Sequence, residues 1–158
     1  MNESPDVCLT FEAACMAGIE MENQIFQNYA RALRIVKDSA AKEILLEAAK
    51  VKLKHKQQLE KALIDGELDE PVAPGPVSIM NLSVRCCDPH QIDSTADNRK
   101  ALAFAIQMAQ DALKFYRDMA KHCEGAPMAK IFTVLGDELT RHLQQLEDTF
   151  EEHFLPEG

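Results

Sequence analysis

The chain has 158 residues, of which 46% are hydrophobic and 27% are charged, a composition typical of one globular domain with a buried core. Its formal net charge of −9 and isoelectric point near 5.0 argue against a general binder of nucleic-acid phosphates. No basic stretch precedes an apolar run at the start, and no uncharged segment is long enough to span a membrane. We therefore expect a single cytoplasmic domain, residues 1–158, that contacts neither nucleic acid nor membrane.

The five cysteines are an odd number and lack Cys-x-x-Cys spacing, which fits a reducing compartment better than a disulfide framework. Cys8 and Cys123 have no partner evident in the sequence, and Cys15 lies on an apolar stripe where it should be inert. Cys86 and Cys87 form the one cluster. Vicinal thiols could bind a soft metal or sense an oxidant, although we favour a role as small buried side chains that hold the loop against the core.

Apolar residues recur at helical spacing along most of the chain, and no strand-like alternation competes with them. The pattern predicts four helices, at about 9–37, 39–65, 95–123 and 127–153. Asp38 is placed to cap the second helix, and Gly66 is placed to end it. Ser94, with Asp97 three residues later, is a variant of the capping box for the third helix. Pro127 suits the first position of the fourth helix.

A long segment without helical periodicity separates the second and third helices. Residues 66–93 contain four prolines, which rule out a continuous helix. The other two connections are short, so the helices that they join must be antiparallel neighbours. The long segment can return along the bundle and start the third helix at the opposite end. We therefore predict an all-α, ferritin-like four-helix bundle made of two antiparallel helical hairpins joined by a long crossover loop.

The two predicted hairpins are related by an internal repeat. Residues 55–60 read HKQQLE, and residues 142–147, which lie 87 positions later, read HLQQLE. The same offset places Met21 on Met108 and Tyr29 on Tyr116 without an insertion. Such a match indicates two copies of one helical hairpin. A histidine of each copy lies on a stripe that should be buried, where histidines are uncommon without a partner or a function.

Six positions of the four stripes are predicted to lie at one level of the bundle. In each hairpin, the positions concerned lie 14 to 17 residues before or after the turn, at Asp38 in the first hairpin and at Gly125 in the second. Since each helical residue rises about 1.5 Å, these positions have nearly the same height. The occupants are Glu22, Lys52, His55, Ala109, Leu139 and His142. This is the layout of di-metal carboxylate bundles, in which two helices each supply a Glu and the other two each supply Glu-x-x-His.

The chain resembles the rubrerythrin-like branch of the ferritin-like superfamily over residues 11–156. The resemblance rests on residues 19–22 with Tyr29, residues 105–108 with Tyr116, the two histidine segments and the Phe-Leu-Pro at 154–156. It implies a bundle that holds a dinuclear iron centre for peroxide reduction or iron handling. Glu22, His55 and His142 match ligands of that family.

The other ligand positions depart from the family pattern. Lys52 and Leu139 stand where the glutamates of the two Glu-x-x-His motifs belong, and Ala109 stands where the third helix should supply a glutamate. One carboxylate cannot neutralise two iron ions, and a lysine ammonium repels cations. The resemblance therefore implies a degenerate site in which no dinuclear iron centre forms.

Two interpretations of this layer stay open. In the first, Lys52 pairs with Glu22, no cofactor is bound, and the protein is a structural or interaction module. In the second, Lys52 turns towards solvent, and Glu22, His55 and His142 hold a single Fe or Zn ion in a redox or iron-handling protein. The sequence leaves open whether the protein is an enzyme, and it identifies neither an electron donor nor a protein partner.

Apolar residues beside the central stripes predict a homodimer, because a monomeric bundle needs less apolar surface. These residues are Leu46, Leu53, Phe104, Val134 and Leu143.

Overall fold

The computed structural model of the protein describes residues 6–69, 79–80, 82 and 92–154. Its helices are α1 (Asp6–Leu9), α2 (Phe11–Ile35), α3 (Ser39–Asp65), α4 (Asn98–His122) and α5 (Ala129–Phe154). These residues contain no strand, and α2 to α5 correspond to the four predicted helices. The all-α prediction is confirmed. Cys86, Cys87 and the last two residues of the predicted Phe-Leu-Pro lie outside the described residues.

Local capping interactions fix the ends of the first hairpin. The Asp38 carboxylate accepts a hydrogen bond from the Ala41 N–H at 2.8 Å, and Gly66 ends α3 in the left-handed conformation with φ of 82°. Both predictions are confirmed. The first predicted helix is divided at Thr10, whose hydroxyl accepts a hydrogen bond from the Ala13 N–H at 3.2 Å. This cap begins α2 and leaves α1 as a separate single turn.

Two predicted helix starts in the second hairpin were wrong by a few residues. Asp97 caps α4 by accepting a hydrogen bond from the Lys100 N–H at 2.9 Å, whereas Ser94 lies in a turn before it. The capping box therefore does not form, because its acidic residue is itself the N-cap. Pro127 also lies in a turn, and α5 begins at Ala129.

The helices pack as two hairpins, α2 with α3 and α4 with α5, and α3 also packs against α4. Cys8, before α2, is bonded to Cys123, after α4. Near the other ends of the same pair, the Tyr29 hydroxyl of α2 donates to the Ala105 carbonyl of α4 at 3.5 Å. Helices α2 and α4 are therefore antiparallel, and the chain returns along the bundle between α3 and α4. The predicted crossover topology is confirmed.

The first half of α4 is enclosed on all sides, since every residue from Ala101 to Ala109 is buried. Phe104 lies edge-on to the Tyr29 ring with 5.6 Å between centroids, and both Phe104 and Leu143 are 0% exposed. The prediction that these two residues form surplus surface was wrong, because Phe104 packs against α2 and Leu143 is enclosed within the core. Leu46 and Leu53 are exposed as predicted, at 45% and 37%, and Val134 is half-buried.

The crossover is attached to the second hairpin by a buried carboxylate. Glu147 is 0% exposed, and its two oxygens accept hydrogen bonds from the Met80 N–H at 2.7 Å and the Leu82 N–H at 3.0 Å. The side-chain amide of Gln110 donates to the Leu82 carbonyl at 2.8 Å. Glu60, the counterpart of Glu147 in the repeat, is exposed. The sequence did not predict this difference because the two segments around the glutamates are nearly identical.

Two cysteines have a partner that the sequence did not reveal. Cys8 and Cys123 form a disulfide with 5.1 Å between their Cα atoms, which corrects the expectation that both lack a partner. They are far apart in sequence, so no local spacing could have indicated the pair. Cys15 is buried as predicted, and burial raises its pKa to about 11. Within the described residues, no helix is long and apolar enough to cross a membrane.

Candidate functional site

Helices α2 and α3 bring two charged residues of the predicted layer into contact. Lys52 Nζ lies 3.0 Å from Glu22 Oε1, and the two side chains are 1% and 2% exposed. The lysine therefore does not turn towards solvent, as the single-metal interpretation requires. Its ammonium occupies the space next to the carboxylate and supplies the positive charge that a buried carboxylate needs.

Glu22 has two further neighbours. The Tyr116 hydroxyl donates a hydrogen bond to Glu22 Oε2 at 2.6 Å, and His55 Nδ1 lies 3.8 Å from Oε1. Burial raises the pKa of Glu22, but the charge of Lys52 and the contacts with His55 and Tyr116 outweigh it and lower the pKa to about 2. Glu22 is therefore an anion at neutral pH.

The contact between Lys52 and Glu22 is electrostatic rather than a well-directed hydrogen bond. Despite the 3.0 Å separation, the angles at Lys52 Nζ and Glu22 Oε1 do not meet hydrogen-bond geometry, and Nζ has no hydrogen-bond partner among the described residues. Such a pair gains charge compensation without full satisfaction of the three ammonium donors. The buried ion pair need not stabilise the fold more than two apolar residues would. Removing either residue, however, leaves an unpaired buried charge that destabilises the fold.

The corresponding half of the layer on α4 and α5 is mostly apolar. Ala109 and Leu139, which replace two expected glutamates, are each 1% exposed. Tyr29, the counterpart of Tyr116 in the repeat, reaches a backbone carbonyl at Ala105 instead of a carboxylate. Burial and the charge of Glu22 raise the pKa of the Tyr29 hydroxyl, so it stays protonated.

His142 is the one polar ligand position of that half. It is half-buried, and burial together with the charges of Lys52 and His55 lowers its pKa to about 4, while Glu22 acts in the opposite direction. His142 is therefore a neutral imidazole at neutral pH. That His142 lies at the level of Glu22 and His55 stays a prediction of the helical count.

The predicted ligands do not form a metal-binding group as they stand. Within the described part of the chain, no three His, Cys, Asp or Glu side chains lie together in a way that could hold a metal ion. Glu22 and His55 are close, but the Lys52 ammonium sits against Glu22 Oε1. A cation at Glu22 would have to displace that ammonium and would be repelled by it.

A narrow cavity of about 70 Å³ reaches this charged half of the layer. That volume accommodates a few water molecules, at roughly 10–15 Å³ for each probe-sized site. Its polar lining includes Glu22, His55, Gln58, Tyr116 and Glu138, with Lys61 and Asp65 further out. The cavity therefore connects Glu22 and His55 to the surface of the bundle.

Comparison of the chain with models of protein families, with curated proteins and with solved structures gives no match. The structure shows an all-helical bundle of two hairpins, and the resemblance to the rubrerythrin-like branch rests on the sequence motifs.

Proposed function

We propose that the protein is a metal-independent bundle of rubrerythrin-like, ferritin-like ancestry that serves as a structural or interaction module. The observation that carries this proposal is the buried pair of Lys52 and Glu22, with 3.0 Å between Nζ and Oε1. The ammonium supplies inside the bundle the positive charge that iron supplies in the family. Ala109 and Leu139 make the other half of the layer apolar, so no further cation is needed there.

A second candidate is a redox or iron-handling protein with one Fe or Zn ion held by Glu22, His55 and His142. The cavity that reaches Glu22 and His55 favours it, because an ion could enter that way. The position of Lys52 opposes it, since the ammonium would have to leave a contact in which both partners are buried. We therefore place this candidate second.

For the interaction role we propose a homodimer in the cytoplasm. Leu46 and Leu53 are seven residues apart, two helical turns, and so share one exposed face of α3. The net charge of −9 supports a protein partner rather than nucleic acid. In a reducing compartment the Cys8–Cys123 disulfide would be a responsive bond rather than a permanent one.

Metal addition separates the two candidates. Thermal unfolding of the wild-type protein and of Lys52→Ala is measured with and without Fe(II) or Zn(II), together with elemental analysis of protein produced in supplemented medium. A metal-independent bundle shows no metal-dependent rise in Tm for the wild type and a lower Tm for Lys52→Ala. The single-metal candidate instead predicts that Lys52→Ala binds metal more tightly and gains stability. Two irons per wild-type chain would contradict both.

The dimer is tested by light scattering at micromolar concentration. Only a species near 17.7 kDa would refute it. Leu46→Glu with Leu53→Glu should shift a dimer to that mass, because two charges would be buried in the contact. The matched control is Met16→Glu, at an exposed apolar residue of α2 that lies off this face of α3.

A further inference from the structure

We propose that the Cys8–Cys123 disulfide is a redox-operated latch, which holds the turn α1 against the α4–α5 connection and releases it when a thiol reductant opens the bond. This inference concerns one end of the bundle and does not depend on the proposed function. It rests on how α1 is attached, on the unequal exposure of the two cysteines, and on the groups next to the turn.

The attachment of α1 depends on few contacts. The helix has four residues, none of them buried, and a single turn is not stable by itself. Val7 and Cys8 are only partly buried against the core. Besides the disulfide, a hydrogen bond from the Met128 N–H to the Cys8 carbonyl at 3.0 Å links α1 to the second hairpin. Opening the disulfide therefore removes the only covalent link between α1 and the second hairpin among the described residues, while the hydrogen bonds from Thr10 to the Asp6 carbonyl still join α1 to α2.

The two sulfurs differ in accessibility. Cys123 is 1% exposed and is fixed to the end of α4 through its N–H, which donates to the Met119 carbonyl at 2.9 Å. Cys8 is half-buried and so is the more accessible of the two residues, and we expect a reductant to attack its sulfur first. After reduction Cys123 stays with the bundle, whereas Cys8 leaves with α1.

The reaction is ordinary thiol–disulfide exchange with a dithiol reductant. One thiolate of the dithiol attacks Cys8 Sγ, the bond to Cys123 Sγ breaks, and Cys123 leaves as a thiolate that takes up a proton. The second thiol of the reductant then attacks the mixed disulfide and frees Cys8. In total two electrons and two protons pass to the protein, and the dithiol becomes a disulfide.

Release changes the groups at the edge of an apolar groove that is already open. The Met128 N–H loses its acceptor, and the Cys123 thiol becomes accessible. Beside them lies an apolar groove of about 200 Å³ whose apolar lining is Phe11, Leu68, Pro127, Met128, Ile131 and Val134. The charged layer should not respond, because Glu22 lies about three turns further along α2.

The test is hydrogen–deuterium exchange by mass spectrometry on the full chain, oxidised and then reduced with dithiothreitol. We first expect a linked Cys8–Cys123 peptide in the oxidised digest. On reduction, the amides of Thr10 and Met128, which are hydrogen-bonded to α1, should exchange at least about tenfold faster, while those in the middle of α2 to α5 should keep their rates. Cys8→Ser should show the fast pattern without reductant, and Cys15→Ser should respond as the wild type does.

Three outcomes would overturn the proposal. Absence of the linked peptide would remove the latch itself. Equal exchange at the Met128 amide in both redox states would show that α1 stays in place without the bond. Faster exchange throughout α2 to α5 would show a staple for the whole bundle rather than a latch for one turn. Should Cys8→Ser be poorly folded, Cys123→Ala offers the same comparison from the buried side.

Discussion

The two halves of the central layer have equivalent backbone positions but opposite chemistry. In the first half, Glu22 is paired with Lys52 at 3.0 Å and accepts a hydrogen bond from Tyr116 at 2.6 Å. In the second half, Ala109 is buried at the position equivalent to Glu22, and Tyr29 finds only a backbone carbonyl at 3.5 Å. The two copies of the sequence repeat therefore differ: the first contributes a buried ion pair, and the second contributes mostly apolar side chains.

The difference teaches that charge is balanced within each half rather than across the layer. The half that keeps its glutamate has a lysine, and the half that lost its glutamate has no buried lysine or arginine among its described residues. A buried charge is tolerated only when its partner is in contact, because the interior screens charge weakly. Substitutions in one half, compared with substitutions in the other half or on the surface, test this balance.

The largest effect is expected from Lys52→Met, which leaves the buried Glu22 carboxylate without its counter-charge. Breaking such a pair should lower the free energy of unfolding by about 3–5 kcal/mol, measured by urea unfolding at pH 7. Lys54→Met on the exposed side of α3 is the matched control and should change stability by less than about 0.5 kcal/mol. Glu22→Gln combined with Lys52→Met should recover most of the loss.

The same variant has a diagnostic pH dependence. In the wild type the pKa of Glu22 is about 2, below the usual 4.5, so its contribution is present above pH 4.5 and is lost as pH falls towards 2. Without Lys52 that pKa should lie above the usual value, so the variant should become less stable as pH rises from 4 to 7. A constant difference between variant and wild type across that range would argue against the pair.

A second pH effect is predicted for His142. Its folded pKa of about 4 lies below the usual 6.5, so the unfolded chain binds the proton more readily between these values. The contribution of His142 to the free energy of unfolding should have its full value above pH 6.5. It should fall as the pH decreases to 4, by up to about 3 kcal/mol. His142→Leu should lose this dependence, whereas the exposed His153→Gln should keep it. Parallel curves for His142→Leu and wild type would contradict the prediction.

The two glutamates of the repeat should differ as the two halves do. Glu147→Ala leaves the Met80 and Leu82 N–H groups without their acceptor and should cost about 2–3 kcal/mol in urea unfolding. Glu60→Ala, on the exposed face of α3, should cost less than about 0.5 kcal/mol. Similar losses for the two variants would show that burial of Glu147 is not what holds the crossover.

The smallest difference is expected between the two tyrosines. Tyr116→Phe removes a hydrogen bond to an ionised carboxylate and should cost about 2 kcal/mol, whereas Tyr29→Phe removes a long bond to a carbonyl and should cost less than about 1 kcal/mol. Both rings stay buried, so the packing change is the same. Thermal unfolding of the two variants measures the loss of stability in each. A larger loss for Tyr29→Phe than for Tyr116→Phe would contradict the prediction.

The backbone arrangement could be predicted because it depends on local and periodic signals. The cap at Asp38, the glycine at Gly66 and the apolar spacing are enough to place the hairpins. Because the rise per helical residue is fixed, counting residues from the turn at Asp38 is enough to place Glu22 and Lys52 at one level. Helix starts after the crossover were less accurate, since several capping residues compete there.

What could not be predicted depends on contacts between distant segments. The Cys8–Cys123 bond joins residues 115 apart in sequence, and nothing near either cysteine indicates the other. The burial of Phe104 depends on its contact with Tyr29 of α2, 75 residues earlier in the chain. Glu147 has the same sequence neighbours as the exposed Glu60, so only the path of the crossover distinguishes them.

The attachment at Glu147 also has a consequence for chain entropy. The segment between Asp65 and Asn98 is pinned near its midpoint, at Met80 and Leu82, so two shorter loops are closed instead of one long one. Loop-closure entropy grows only slowly with length, by about 0.6 kcal/mol for each doubling, so either short loop should tolerate inserted residues. An insertion between Met80 and Leu82 would change the spacing of the two N–H groups that share one carboxylate. The crossover should therefore tolerate inserted residues on either side of Met80 and Leu82, but not between them.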